Sequence, residues 1–274
     1  MQRFLVLVAA LLAAGPDVHA QQDKQSIDTD MLNKLVFPSS IHSRVIGGEY
    51  TTIEKLGGYL VAMRYRNDFI CGGTLLASRI VLTAAHCFLG REIVQRWEVQ
   101  AGVSALTEHG QRVLLDEYIS SSGFREDDMH MDVALCRMQR PIWGKNIMHL
   151  KLCTTQLSVG LVLTVAGWGL INAKSTNHQT LLRKVQVPII NRKRCMDTYR
   201  STVNLTDSMF CAGVLGKKDA CTFDSGGPLV YNKQVCGIVS FGIGCASPKY
   251  PGVYTDVNFV GPFIQRTMAL LLNR

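Results

Sequence analysis

From Val45 onward the apolar residues of this chain come in short stretches. Tyr59–Met63, Arg79–Thr83, Val133–Cys136, Leu161–Ala166 and Val235–Ser240 are separated by turns that contain Gly, Ser and Asn. Stretches of this length broken this often predict strands, so the chain reads as an all-β sandwich or barrel. Only the C-terminus reads as helical. There Phe259, Phe263, Ile264, Met268, Leu271 and Leu272 recur near three- and four-residue spacings, and Pro262 suits a first turn. No repeat or low-complexity tract interrupts this texture.

The N-terminus is of another kind. Arg3 precedes an apolar run from Phe4 to Ala14, the longest in the chain, and Val18-His19-Ala20 places small residues first and third. This is the order of a secretory signal peptide over residues 1–20; the alternative is a buried N-terminal helix. No run reaches the ~18–20 apolar residues that span a bilayer. Residues 21–43 are polar, mixed in charge and without cysteine, as in a flexible leader. Secretion changes how nine cysteines read, because an oxidising compartment pairs them. No CxxC pair suggests a zinc ribbon or thiol redox site, and an odd count leaves at least one thiol free or paired elsewhere.

The net charge is +8, and the basic residues cluster only at Arg192-Lys193-Arg194 and Lys217-Lys218. No nucleic-acid motif accompanies them, so a solvated basic surface attractive to acidic partners is expected, not nucleic-acid binding.

Three segments carry chemistry: Thr83-Ala84-Ala85-His86-Cys87, Asp132-Val133-Ala134-Leu135 and Asp224-Ser225-Gly226-Gly227-Pro228. Each alone is more often structural. In the order His, Asp, Ser within one secreted chain they point to nucleophilic acyl transfer. A Ser hydroxyl is a weak nucleophile that needs a base, and His has a suitable pKa.

With Arg44-Val45-Ile46-Gly47-Gly48, Cys71-Gly72-Gly73, Gly167-Trp168-Gly169 and Pro251-Gly252-Val253-Tyr254, residues 45–274 resemble a trypsin-like member of the chymotrypsin family of serine proteases, with the phrasing of insect enzymes. The resemblance implies two six-stranded antiparallel β-barrels, the first running to about residue 155, a C-terminal α-helix and an active site between the barrels. It implies His86 as general base, Asp132 as its orienting carboxylate, Ser225 as nucleophile, and the N–H groups of residues 223 and 225 as the oxyanion hole. Ser240 matches the segment whose backbone pairs with substrate. Asp219 matches the base of the primary specificity pocket and Gly242 and Gly252 its walls, which implies cleavage after Lys or Arg. Read without the resemblance, Asp219 is a loop acid beside Lys217 and Lys218.

The resemblance further implies a zymogen. Cleavage after Arg44, by another protease or by the enzyme itself, frees the Val45 amine to pair with Asp224, so residues 21–44 form an activation propeptide. It implies disulfides Cys71–Cys87, Cys195–Cys211 and Cys221–Cys245. Cys136 then reads as a free buried thiol, and Cys153–Cys236 as a fourth bridge. The loop from Val103 to Gln111 carries Glu108 as its one acid, too few oxygen ligands for the calcium site of the trypsins; no metal, other cofactor or membrane partner is expected. Polypeptides and loop-type protein inhibitors are the expected partners. Asn204-Leu205-Thr206 is the one glycosylation sequon.

One residue departs from the family pattern. Phe223 stands where Gly normally supplies an oxyanion N–H. Phe keeps the donor but adds a ring, and a torsional cost of ~1–2 kcal/mol if φ is positive. A weakly active or inactive homologue that serves as a protein-binding module is therefore the competing expectation.

Overall fold

A computed structural model of the protein describes residues 48–169, 180–219, 224–244 and 247–274. The expected signal peptide and propeptide, Arg44, Val45, Phe223 and the Cys221–Cys245 bridge lie outside these residues.

The first half is a closed barrel of six antiparallel strands. β2 (Leu60–Tyr65), β3 (Asp68–Ala77), β4 (Ile80–Thr83), β5 (Trp97–Ala101), β6 (Gln111–Ser120) and β7 (Ala134–Met138) pair in the order β2-β3-β4-β7-β6-β5, and β5 returns to β2. Val61, Met63, Leu75, Val81, Val99 and Leu115 share its inward face, while Leu82 and Leu135 are buried on the opposite face. The barrel ends earlier than expected. Residues 139–150 double back against it, with Ile142 N–H on Ser78 O and Leu150 N–H on Leu75 O, and β8 (Lys151–Leu152) already belongs to the second sheet. β8 pairs in parallel with Gln234 and Val235, an exception to the antiparallel pattern.

The second half is a curled sheet. β9 (Val162–Gly167), β10 (Arg183–Pro188), β11 (Met209–Ala212), β12 (Pro228–Tyr231), β13 (Gln234–Phe241) and β14 (Gly252–Asp256) run in the order β10-β9-β12-β13-β14-β11, with β1 (Glu49–Tyr50) on the outer edge of β10. Its two ends meet at an isolated bridge between Ile189 and Ala212. The second barrel is thus less completely closed than the first.

Helices are more numerous than the sequence suggested. α1 (Ile53–Leu56) and α2 (Arg192–Tyr199) are short, and α2 is too polar for its periodicity to show. Caps define both: Thr52 Oγ1 accepts from Lys55 N, and Asn191 Oδ1 from Arg194 N. The C-terminal helix α3 (Val257–Leu272) starts earlier than expected, because Asp256 caps it by accepting from Asn258 N. Pro262 therefore sits inside α3, not in its first turn. The buried face is Val260, Ile264, Thr267 and Leu271, while Phe259 and Leu272 are exposed. The true stripe keeps the helical spacing that the brighter aromatic residues obscured.

Cys71–Cys87, Cys195–Cys211 and Cys153–Cys236 are bonded, and Cys136 is a buried free thiol on β7 whose burial pushes its pKa far up. Glu108 accepts from the N–H groups of Ser104 and Ala105, so that loop's acid is satisfied by its own backbone. Asn204 is exposed. Among the described residues no helix is long and apolar enough to cross a membrane.

Candidate active site

β4 ends at Thr83 and leads into a 3-10 turn, Ala85–Phe88, that carries His86. The Cys71–Cys87 bridge fastens this turn to β3. On the facing wall, a loop after β6 delivers Asp132 just before β7. Its backbone is held unusually: Met129 and Met131 both have positive φ, at 58° and 55°. Such torsions are uncommon for side chains of this size and persist only where the surroundings impose them.

Asp132 is fully buried, and both carboxylate oxygens and its carbonyl accept hydrogen bonds. Oδ1 accepts from His86 N at 2.9 Å, and Oδ2 meets His86 Nδ1 at 2.7 Å. Ser240 Oγ donates to the same Oδ2, and Thr255 Oγ1 donates to the Asp132 carbonyl at 3.0 Å. Burial alone would raise the Asp132 pKa. The electrostatic pull of the His86 ring, together with the hydrogen bonds from His86 and Ser240, outweighs it and holds the carboxyl below its ordinary range. An ionised Asp132 makes Nδ1 the protonated nitrogen of His86 and leaves the Nε2 lone pair free to accept a proton.

Ser225 comes from the second half, on the turn before β12. Gly72 N–H donates to Ser225 O at 2.7 Å and Gly226 N–H to Val239 O at 2.8 Å, so the turn is gripped from both barrels. Gly226 has φ 76°, and a Cβ there would stand 2.2 Å from Thr83 Oγ1 and 2.6 Å from Gly72 O. Only Gly meets both demands. The same contact brings the Ser225 turn against the strand end that leads to His86.

Asp224 is buried beside Ser225. Its Oδ1 accepts from Gly169 N at 2.9 Å, and Cβ atoms on Gly167 or Gly169 would collide with the carboxylate. The Gly-Trp-Gly segment is therefore shaped to receive Asp224.

Asp219 is likewise buried, at 2% exposure. Tyr254 donates to its Oδ1 at 3.4 Å, and a Cβ on Gly252 would lie 2.4 Å from that oxygen. Gly242 faces Gly252, 3.8 Å from a Cβ position to the opposing Cα. Tyr199 closes one side, donating to Pro251 O at 2.6 Å. Asp219, Gly242 and Gly252 are thus brought together, and the exposed-loop alternative for Asp219 does not hold.

Sequence reasoning missed a set of residues behind Asp132. His130 Nδ1 meets Thr206 Oγ1 at 2.8 Å and Ser208 Oγ at 3.2 Å, and Ser208 Oγ accepts from Met131 N at 3.0 Å. Ser208 is fully buried. This contact ties the first-barrel loop to the second sheet across 76 to 78 residues. Ser240 was expected to act through its backbone, and its hydroxyl proves to contact Asp132. His130 stands two places from Asp132 and was open to suspicion; nothing in the sequence marks Thr206, Ser208 or Thr255.

Comparison with known proteins agrees with this geometry. The family model described as Trypsin matches residues 45–264. The chain is 54% identical over 271 residues to Seminase of Drosophila melanogaster, covering 99% of this chain and 98% of that one. It is 34% identical over 233 residues to Trypsin of Sarcophaga bullata, covering 84% and 91%. The solved structure of neuropsin, a serine protease expressed in mouse brain, superposes with a TM-score of 0.73 at 30% identity, covering 81% of this chain and 98% of that one.

Proposed function

Because the chain belongs to the trypsin family of serine proteases, acting on polypeptides, we propose that it is a secreted endopeptidase, made as a zymogen, that cuts after Lys or Arg. The observation that carries the catalytic reading is the His86–Asp132 pair. A buried, hydrogen-bonded carboxylate holds one imidazole nitrogen, and the Ser225 turn packs against the strand end that carries the ring. His86 Nε2 takes the proton of Ser225 Oγ as that oxygen attacks the scissile carbonyl. The N–H groups of residues 223 and 225 receive the oxyanion, a contribution of ~3–4 kcal/mol per donor. His86 then protonates the leaving amine, and water repeats the sequence on the acyl-enzyme.

Asp219 is a buried carboxylate beside Gly252, which Gly242 faces, and an acid at the base of a glycine-walled pocket favours a long cationic side chain. Activation follows the same logic. The buried Asp224 is the seat for the Val45 ammonium released by cleavage after Arg44, and breaking such a buried ion pair costs ~3–5 kcal/mol. Arg183 supports the segment that follows, donating to Gly48 O at 3.1 Å and stacking 3.9 Å over the Tyr50 ring.

The test is labelling by an organophosphorus serine probe. Protein cleaved at Arg44 should label at Ser225. Ser225→Ala and uncleaved Arg44→Gln should not, and an unlabelled cleaved protein would refute the reading. Phe223 supports a second reading, a poorly active homologue. Phe223→Gly separates the two. If the Phe N–H still serves the oxyanion hole, small-ester turnover rises modestly and binding of loop-type inhibitors rises more. If the donor is turned away, turnover rises ~10²–10³-fold.

A further inference from the structure

The net charge of the protein is confined to one half. Residues 45–152 hold 12 Lys and Arg against 12 Asp and Glu, whereas residues 153–274 hold 13 against 5. On α2 much of this surplus is spent locally. Arg192 donates to Asp207 and to the carbonyls of Thr206 and Met209, while Lys193 and Arg200 share Asp197.

The outer face of β9 and β10 differs. Two adjoining cavities of about 310 and 390 Å³ share Thr164 and Lys184 and form one open groove. Lysines enter it from four segments: Lys55 on α1, Lys184 on β10, Lys218 in the turn before Asp219, and Lys233 at the β12–β13 hairpin tip. Asn232 and Lys233 hold positive φ there, at 46° and 59°, the hairpin geometry that fixes Lys233 at the tip. Lys184 pairs with Glu49 at 3.2 Å; among the described residues, Lys55, Lys218 and Lys233 have no acidic partner. Glu54, next to Lys55, does not line the groove.

Like charges converging in one groove are self-repelling and raise the local positive potential, which a polyanion relieves. We propose that this groove binds a linear sulphated polysaccharide. Cations on four separate segments suit a chain of repeated charges better than one small anion. All four are Lys, compact point charges on flexible stems that follow a repeated negative charge without demanding bidentate geometry. The one ring in the lining, Tyr59, is 5% exposed, so no open aromatic face is available for stacking bases.

The test uses protein cleaved after Arg44 on immobilised heparin over a range of salt. Binding should persist at about 0.15 M NaCl. The triple variant Lys55→Gln, Lys184→Gln, Lys233→Gln should raise Kd by ~10-fold or more and flatten the dependence of log Kd on log salt by ~2–3, as released counterions predict. Small-ester hydrolysis should stay unchanged, which confirms folding. A control triple on α2, Lys193→Gln, Arg194→Gln, Arg200→Gln, removes the same charge and should change Kd by less than ~3-fold. The proposal is overturned if wild type is not retained, or if both triples weaken binding equally, which means diffuse charge. It is also overturned if oligo-dT displaces heparin as well as free heparin does, or if millimolar inorganic sulfate suffices.

Discussion

The two halves of the molecule hold their parts of the site by different means. In the first, each of the six strands has two partners and the ladder closes on itself; its contribution, His86 and Asp132, stands at strand ends with every Asp132 oxygen engaged. In the second, closure rests on one bridge between Ile189 and Ala212, and Asp219 and Ser225 ride on connecting turns. The first half is neutral in charge and the second carries the surplus. The proton-handling pair thus belongs to the part with the least freedom. The groups that meet substrate belong to turns, which can change without disturbing the ladders beneath them.

The sharpest way to break this comparison is to disable the acid of each half. Asp132→Asn should cut small-ester turnover by ~10⁴-fold at neutral pH, because a neutral amide no longer holds the required imidazole tautomer. A loss below ~10-fold would remove the first barrel from the chemistry. The same variant has a stability signature. The Asp132 pKa is depressed in the fold, so its contribution is present above about pH 4 and fades as pH falls through the lower native value. Melting temperatures between neutral and acid pH should show a shallower acid decline in Asp132→Asn.

Asp219→Ser, in the second half, should leave turnover chemistry intact and change selection. Losing the countercharge of a desolvated cation costs ~3–5 kcal/mol, so the Arg-to-Phe ester rate ratio should fall ~10²–10⁴-fold. An unchanged ratio places Asp219 outside the pocket.

Next come the disulfides. Cys71–Cys87 in the first half and Cys195–Cys211 in the second both span 16 residues, whereas Cys153–Cys236 spans 83 and ties the inter-barrel connection to β13. Chain entropy predicts losses of ~3 kcal/mol for Ala replacement of either short pair and ~4.5 for the long one. Urea unfolding measures this order. If Cys195–Cys211 proves the most costly, the looser half depends on its bridge for more than loop closure.

The smallest expected effect probes the contact between the halves. His130→Ala should lower kcat by ~10-fold with KM little changed, because the Asp132 loop loses its hold on Thr206 and Ser208. His130→Asn places a polar atom where Nδ1 stood and should restore most of the rate. Equal losses in both variants would mean that His130 does not position the loop through this bond.

Much was legible beforehand because it is local. Strand-length apolar stretches, the segments around His86, Asp132 and Ser225, and glycines that must tolerate positive φ or a close neighbour leave their mark on adjacent residues. The Cys153–Cys236 pairing and the buried Cys136 thiol were expected correctly, though spacing alone leaves connectivity open. The helices were less legible. The polar α2 has no apolar stripe to read, and Phe259 drew attention away from Val260.

What only the tertiary structure decided involves residues far apart in the chain. Ser240 reaches Asp132 across 108 positions, Thr255 across 123, and Thr206 and Ser208 reach His130 across more than 70. Four lysines that are scattered in sequence share one groove. The sequence by itself determined which groups are capable of proton transfer, nucleophilic attack and charge recognition, because capability resides in the side chain. Which of them meet depended on barrel closure and strand order, because a hydroxyl without a local motif acquires a role only from the partner that folding sets within ~3 Å of it.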